Sequence, residues 1–250
     1  MQEVPVNLYL DKLLKDCRSI ARRVAQLPGP VKHNALRAMA DRLEADADAI
    51  LAANAKDVDA VGKSHEADVK KDRMKASVAR VRMTADSLKE TAERLRIIAE
   101  LPDPVGAVTA RWERPDGLQV SRVRVSIGVI GVISELSPLV MIESIALCLK
   151  SGNLCVFRGS AEWNLTSQAI EAGLRESVEK SGVPAGAWIL IDRPEKEIAV
   201  ELMRSVKILD AVIPRGGDGL RKAVVEQAKM PVLCHDGGLT QLYVDGDTDI

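Results

Sequence analysis

The second half of the chain alternates between short aliphatic runs and segments with helical spacing. The aliphatic runs read VSIGVIGVI from Val125, NLCVF from Asn153, AWILI from Ala187 and ILDAVI from Ile208. Strands that are aliphatic throughout and alternate with helices are typical of a parallel sheet covered on both faces. We therefore predict an α/β fold for residues 125–250, with a doubly wound, mainly parallel sheet and helices on both sides.

The helices between these strands are predicted over Glu143–Lys150, Glu162–Ser181, Pro194–Ser205 and Gly219–Ala228, and a last strand, LTQLYV, after the glycine pair at 237 and 238. Only 2% of the residues are aromatic. The core is therefore expected to consist mainly of Val, Ile, Leu and Ala.

The first hundred residues are predicted to be helical, because apolar residues recur at three- to four-residue spacing. Three apolar faces are evident, over residues 10–24, 36–50 and 88–98. The segments LPGP and LPDPVG are predicted to separate the first two helices and to end the helical region, since proline cannot continue a helix. Residues 1–106 are expected to pack against the sheet.

A β-hairpin arm is predicted over residues 107–124. Its legs are residues 111–114 and 119–124, joined by the turn RPDG. Such an arm more often projects or pairs with another subunit than carries chemistry, so we interpret it as an oligomerisation element.

Composition excludes several classes of function. The net charge of −1 argues against a nucleic-acid surface. No apolar run reaches the roughly 18 residues of a membrane span, and the acidic start lacks the basic region of a signal peptide. The four cysteines have no C-x-x-C spacing. We interpret them as reduced thiols of a cytoplasmic protein, with no zinc site.

Two turns follow strands at the sheet edge where parallel α/β folds bind ligands. In CVFRGSAEW, Arg158 ends a strand, and its planar guanidinium suits a ribose 2'-phosphate. The alternative is an ordinary surface arginine. In IPRGGDGL, Gly216, Gly217 and Gly219 allow positive φ and close backbone approach to a pyrophosphate at a helix N-terminus. The alternative there is a plain strand-to-helix turn.

Cys234, His235 and Asp236 raise the possibility of a cysteine hydrolase. Adjacent residues of an extended segment point in opposite directions, however, and a catalytic Cys and His are neighbours in space rather than in sequence. Cys148 and Cys155 lie in apolar segments and are interpreted as buried structural residues.

The segments RVRVSIGVIGVI, ALCLKSGNLCVFRGSAE, IPRGGDGL and YVD resemble gamma-glutamyl phosphate reductases, in the same order and at similar spacing. These enzymes, also called glutamate-5-semialdehyde dehydrogenases, belong to the aldehyde dehydrogenase superfamily. The resemblance implies NADPH-dependent reduction of gamma-glutamyl phosphate in proline biosynthesis. It also implies that residues 125–250 are the Rossmann-like, cofactor-binding part of a homo-oligomer, and it allows glutamate 5-kinase as a partner.

The resemblance carries over a set of candidate cofactor-binding residues. These are Lys150, Ser151, Gly152, Asn153, Arg158, Gly159, Glu162, Pro214, Arg215, Gly216 and Gly217. Arg158 and Gly159 would lie on the adenosine side, with Glu162 as the acidic residue that follows, and the loop from Pro214 to Gly217 near the pyrophosphate. Glu135 and Pro138 would lie on the substrate side.

Three departures from the family pattern bear on activity. The stretch SELSPLVM has Ser134, Ser137, Leu139 and Met141 where the family has Tyr, Arg, Asn and Thr. Thr240 and Gln241 replace a Cys and a His. The family's catalytic cysteine belongs to a segment downstream of the last predicted strand, and none of the four cysteines matches it.

Two main hypotheses follow. The chain is the cofactor-binding portion of the reductase, or it is a catalytically inactive member of the fold that binds a nucleotide or a partner subunit. The retained segments at 150–159 and 214–217 favour the first, and the altered stretch at 134–141 favours the second.

Overall fold

The computed structural model describes residues 4–65, 71–193 and 195–234, together with 241, 243 and 246. A 3-10 helix (Ala161–Trp163) and ten α-helices lie in these ranges: α1 (Val6–Leu13), α2 (Cys17–Ala25), α3 (Gly29–Ala45), α4 (Ala47–His65), α5 (Lys71–Val81), α6 (Ala85–Glu100), α7 (Leu139–Lys150), α8 (Asn164–Glu179), α9 (Lys196–Leu202) and α10 (Asp218–Gln227). Their strands are β1 (Val108–Glu113), β2 (Gln119–Val123), β3 (Val129–Ser134), β4 (Leu154–Arg158), β5 (Trp188–Ile191) and β6 (Ala211–Arg215).

The four strands of the second half form one parallel sheet, in the order β5-β4-β3-β6. Side chains of β4 alternate between two cores, with Cys155 and Phe157 on one face and Leu154 and Val156 on the other. Helices α3, α6, α7 and α8 cover the first face, and α1, α9 and α10 contribute to the second. The predicted doubly wound α/β fold is therefore confirmed, and side chains of α1, α2 and α3 lie in the same two cores as those of the sheet.

The helical faces of the first hundred residues are buried as predicted. The first face divides between α1 and α2, and Leu10, Leu14 and Cys17 on it are nearly inaccessible to solvent. Helix α3 begins at Gly29, within LPGP, and α6 ends at Glu100, just before LPDPVG. Helix α5 lies outside the three predicted faces.

The predicted hairpin is present. Strands β1 and β2 pair antiparallel, with Trp112 opposite Val120 and a turn between Glu113 and Gln119. The first leg begins three residues earlier than predicted, at Val108. Both strands are largely exposed to solvent in the isolated chain.

Several predicted elements differ from the structure at their ends. Helix α7 begins at Leu139, four residues before the predicted start, because Pro138 provides a natural first boundary for the helix. The predicted strand LTQLYV falls largely outside the described residues. A parallel bridge between Val212 and Val232 shows that the chain returns alongside β6 just before it.

A buried polar network joins the helical region to α8. Asn54 and Asp57 of α4 hydrogen-bond to Thr166, which lies in the first turn of α8. Asn54 Oδ1 also accepts from the backbone N–H of Met83 at 2.8 Å. The network therefore fixes the start of the helix that follows β4, and with it one wall of the candidate site. Across the described residues, no helix has the length and apolar character that a membrane span requires.

Candidate nucleotide site at the carboxyl edge of the sheet

The carboxyl ends of the four parallel strands lie side by side. Arg158, the last residue of β4, is opposite Ile133 of β3 and Ile191 of β5. On the other side of β3, Ser134 is opposite Arg215, the last residue of β6. The two turns that the sequence singled out, after Arg158 and after Arg215, therefore open at the same edge.

Arg158 is buried rather than exposed, with 8% of its surface accessible to solvent. The interpretation of this residue as an ordinary surface arginine is therefore wrong. Its Nη2 donates to the carbonyl oxygen of Glu195 at 3.5 Å. Burial lowers the pKa of the guanidinium from its ordinary value, while the nearby carboxylates of Glu135 and Glu195 favour its charged form. The edge thus holds a cation beside two acids.

The turn after Arg158 is fixed by an aromatic side chain. A Cβ added at Gly159 would lie 2.5 Å from Cζ3 and 3.0 Å from Cζ2 of Trp163, and closer still to Cη2. Only glycine therefore fits where this backbone crosses the indole ring. Next to Trp163, Glu162 lies 3.5 Å from Nη2 of Arg80 in an ion pair.

The second turn approaches the first through Glu135. The backbone N–H of Glu135 donates to the carbonyl of Arg215 at 3.0 Å, and a Cβ added at Gly216 would lie 3.4 Å from Glu135 Oε2. Gly217 follows in extended conformation and directly precedes α10, so the free N–H groups of that helix face the same edge. None of the three glycines in the loop has a positive φ, contrary to the conformational reason expected from the sequence.

The stretch from Ser134 to Met141, predicted to border the substrate, combines exposed and core positions. Glu135 is exposed, whereas Pro138 is buried at the start of α7. Of the residues that depart from the family pattern, Ser134 and Met141 are fully buried within this chain. Packing against the core therefore constrains these two positions directly.

The turn from Lys150 to Asn153 lies at the opposite edge. It precedes β4, whereas Arg158 ends it, so the two are separated by roughly 16 Å along the strand. Lys150 Nζ donates to the carbonyl of Ala99 at 2.7 Å, and Asn153 Oδ1 accepts from the N–H of Gly128 at 2.8 Å. Ser151 bonds back onto α7, and Gly152 has φ of 73°. The structure does not bring these four residues together with Arg158, and their contact with a cofactor stays a prediction.

Sequence reasoning missed a charged cluster at the end of β5. Arg193 donates from Nε and Nη2 to Glu195 Oε1 at 2.9 and 2.7 Å, and its guanidinium lies 5.1 Å from the ring centre of Tyr9. Tyr9 in turn donates to Asp192 at 2.6 Å. The available signal was the acid-rich segment DRPEKE directly after a strand that ends at this edge.

The four cysteines are free thiols in the structure. Cys17, Cys148 and Cys155 are buried, as predicted for the last two. Burial raises the pKa of Cys17 to about 11, and a hydrogen bond with Cys148 together with burial raises that of Cys155. Cys234 is exposed, two residues after the bridge to β6. His235 and Asp236 lie outside the described residues.

Comparison with known proteins decides the family. The sequence matches the aldehyde dehydrogenase family over residues 9–250. The chain belongs to the aldehyde dehydrogenase family. Among curated relatives, it is 42% identical to the gamma-glutamyl phosphate reductase of Parvibaculum lavamentivorans over 246 residues, which cover 98% of this chain and 56% of that protein. The corresponding protein of Moorella thermoacetica is also 42% identical, over 93% of this chain and 54% of its own length.

Solved structures of aldehyde dehydrogenase family members show the same fold. The gamma-glutamyl phosphate reductase of Thermotoga maritima superposes with a TM-score of 0.82 at 33% identity, over 90% of this chain and 52% of that one. That of Saccharomyces cerevisiae gives 0.77 at 28% identity, over 89% and 54%. The predicted resemblance is thus confirmed, and the chain spans about half the length of the relatives it matches.

Proposed function

We propose that the carboxyl edge of the sheet binds NADP(H), and that the chain is the cofactor-binding portion of an enzyme that reduces gamma-glutamyl phosphate to glutamate 5-semialdehyde in proline biosynthesis. The observation that carries the proposal is the buried Arg158 at the end of β4, beside the turn in which only glycine fits at position 159, with the loop before α10 at the same edge of the sheet. The names of the curated relatives support the substrate.

The residues at this edge fit a dinucleotide. In the proposed complex, Arg158, Gly159 and Glu162 hold the adenosine end, where a guanidinium can form paired hydrogen bonds with a phosphate. The loop from Pro214 to Gly217 and the first N–H groups of α10 hold the pyrophosphate. The bound nicotinamide supplies the hydride, and Glu135 and Pro138 border the substrate.

Replacing Arg158 with alanine is expected to weaken the binding of NADPH more than the binding of NADH, because only NADPH carries the 2'-phosphate. The expected loss for NADPH is about 1–3 kcal/mol, as for a charge-assisted hydrogen bond. Calorimetric titration of both cofactors measures it, with Arg204→Ala as the control, since Arg204 is an exposed arginine that follows the C-terminus of α9 and pairs with Glu201. Equal weakening of the two cofactors, or none, would refute the assignment.

A polypeptide of these 250 residues is expected to show no reductase turnover. Acyl phosphate reduction by this family's route needs a thiolate that takes the acyl group as a thioester. The raised pKa values of Cys17 and Cys155 keep those thiols protonated at neutral pH. The assay follows NADPH oxidation with gamma-glutamyl phosphate. Turnover that Cys234→Ala abolishes would show that the exposed thiol is a nucleophile after all; binding without turnover fits both the reductase portion and an inactive member of the fold.

We further propose that the hairpin pairs with another copy of the chain. Two short strands are barely stable alone in water, and Val108, Trp112, Leu118 and Val123 leave 44–54% of their surfaces exposed. Deleting residues 107–124 should lower the mass measured by light scattering, and Trp112→Ser should weaken the assembly. Leu8→Ser, at an exposed leucine of α1, is the control. An unchanged mass would count against a role of the hairpin in assembly.

Glutamate 5-kinase remains a proposed second partner.

A further inference from the structure

Glu195 lies directly against the arginine that the proposed function assigns to the cofactor. Its carbonyl accepts the Arg158 Nη2 hydrogen bond at 3.5 Å, and its carboxylate interacts electrostatically with the same guanidinium. Glu135 contributes a second negative charge. Arg158 therefore does not present an uncompensated positive charge to a ligand, which weakens the attraction it can exert on a phosphate.

The Glu195 carboxylate is held in one orientation. Arg193 donates twice to its Oε1, at 2.7 and 2.9 Å, and Arg193 is itself held by a hydrogen bond of 2.8 Å to the carbonyl of Val4. These donors lower the pKa of Glu195, so the group is ionised at neutral pH. A carboxylate fixed through one oxygen keeps the other oxygen in a fixed position.

The second oxygen, Oε2, accepts no hydrogen bond from the described residues. Glu195 Oε2 itself has almost no solvent-accessible surface, although 30% of the Glu195 side chain is exposed, and within the part of the chain that the structure describes no donor reaches this oxygen. A buried acceptor left without a hydrogen bond is unfavourable, and a ligand hydroxyl can supply the missing proton. A phosphate at pH 7 offers mainly acceptor oxygens and negative charge, so it cannot satisfy this atom and is repelled by it.

We propose that Glu195 is a specificity-determining residue of the cofactor site, where its Oε2 accepts from a ribose hydroxyl and its charge opposes a 2'-phosphate. This inference rests on the proposed dinucleotide function. Arg158 favours the phosphate and Glu195 favours the free hydroxyl, so the two side chains set the ratio of NADPH to NADH affinity in opposite directions. Dinucleotide folds commonly discriminate in this way, with an acid for the ribose hydroxyl or an arginine for the phosphate.

The test is the Glu195→Gln variant, which keeps the size of the side chain and removes its charge. The matched control is Glu201→Gln, which removes a carboxylate from α9, the helix that Glu195 directly precedes, at a position where it pairs with the exposed Arg204. Calorimetry measures the dissociation constants of NADPH and NADH for each protein. The ratio Kd(NADH)/Kd(NADPH) is expected to rise roughly tenfold in Glu195→Gln and to stay within about twofold in the control, a tenfold change being about 1.4 kcal/mol.

The fragments 2',5'-ADP and 5'-ADP provide a second readout that needs no nicotinamide and no activity. The Glu195→Gln variant should bind 2',5'-ADP more tightly than the unaltered chain does, and should show no such gain for 5'-ADP. A thermal melt checks that the variant is folded. An unchanged ratio with both cofactors bound would overturn the role of Glu195 while leaving the proposed function intact. Failure of NADPH and NADH to bind even the unaltered chain would overturn the proposed function, and this inference with it.

Discussion

Replacing Gly159 with alanine is expected to lower the thermal midpoint of the chain by about 2–12 °C. The added methyl group would lie 2.5 Å from Cζ3 of Trp163, a ring that is 1% exposed and packs 6.2 Å from the ring of Phe157. Because the indole cannot move without disturbing this core, overpacking should cost about 1–3 kcal/mol. In a chain of this size, each kcal/mol shifts the midpoint by about 2–4 °C. Scanning calorimetry gives the value.

Gly62→Ala is the matched control for this substitution. A Cβ added at Gly62 meets nothing within 4 Å, and the residue lies inside α4, where alanine is the better helix former. The control should therefore leave the midpoint unchanged or raise it. If Gly159→Ala behaves in the same way, Trp163 does not constrain the turn, and the turn proposed to hold the adenosine end is not rigid.

Replacing Asp57 with alanine is expected to destabilise the chain by about 2–3 kcal/mol. Asp57 is 5% exposed, and its Oδ2 accepts from the backbone N–H and the hydroxyl of Thr166 at 2.7 and 2.6 Å. The carboxylate thus caps the N-terminus of α8, where the helix dipole favours negative charge. Its removal leaves buried donors without an acceptor. Urea unfolding measures the change as a lower midpoint.

Asp59→Ala provides the comparison two residues away. Asp59 is exposed and forms an i,i+4 ion pair of 2.6 Å with Lys63, a contact that contributes about 0.5 kcal/mol or less. The prediction is a large effect at Asp57 and a small one at Asp59. Similar effects at both positions would contradict the capping role, because the two changes remove the same charge from the same helix.

The sheet and most helices could be predicted because their signals are local. Every residue of β3 and β4 is buried, so both strands are apolar up to their last residues, Ser134 and Arg158, and the spacing of Leu36, Met39 and Leu43 follows the buried face of α3. Boundaries shifted where a proline or a pairing partner decided them, as at the start of α7.

The candidate site could be predicted only in part, because its decisive contacts are not local. The position of Arg158 at the end of a predicted strand identified it as a candidate site residue. The burial of its side chain depends on a contact with Glu195, 37 residues later, which the local sequence does not show. Asp57 caps a helix that begins more than a hundred residues away. The resemblance carried over Lys150 to Asn153 as cofactor-binding candidates although they lie at the opposite edge from Arg158. A shared sequence motif does not reveal which edge of the sheet each residue occupies.

The central claim is that the carboxyl edge of the sheet binds the dinucleotide. Titrating the isotopically labelled 250-residue chain with NADPH, and recording backbone amide resonances by NMR, tests it most directly. We predict saturable shifts concentrated at Arg158, Gly159, Glu195, Gly216 and Gly217. Shifts confined to the opposite edge around Gly152, or no saturable shift at any cofactor concentration, would contradict the claim.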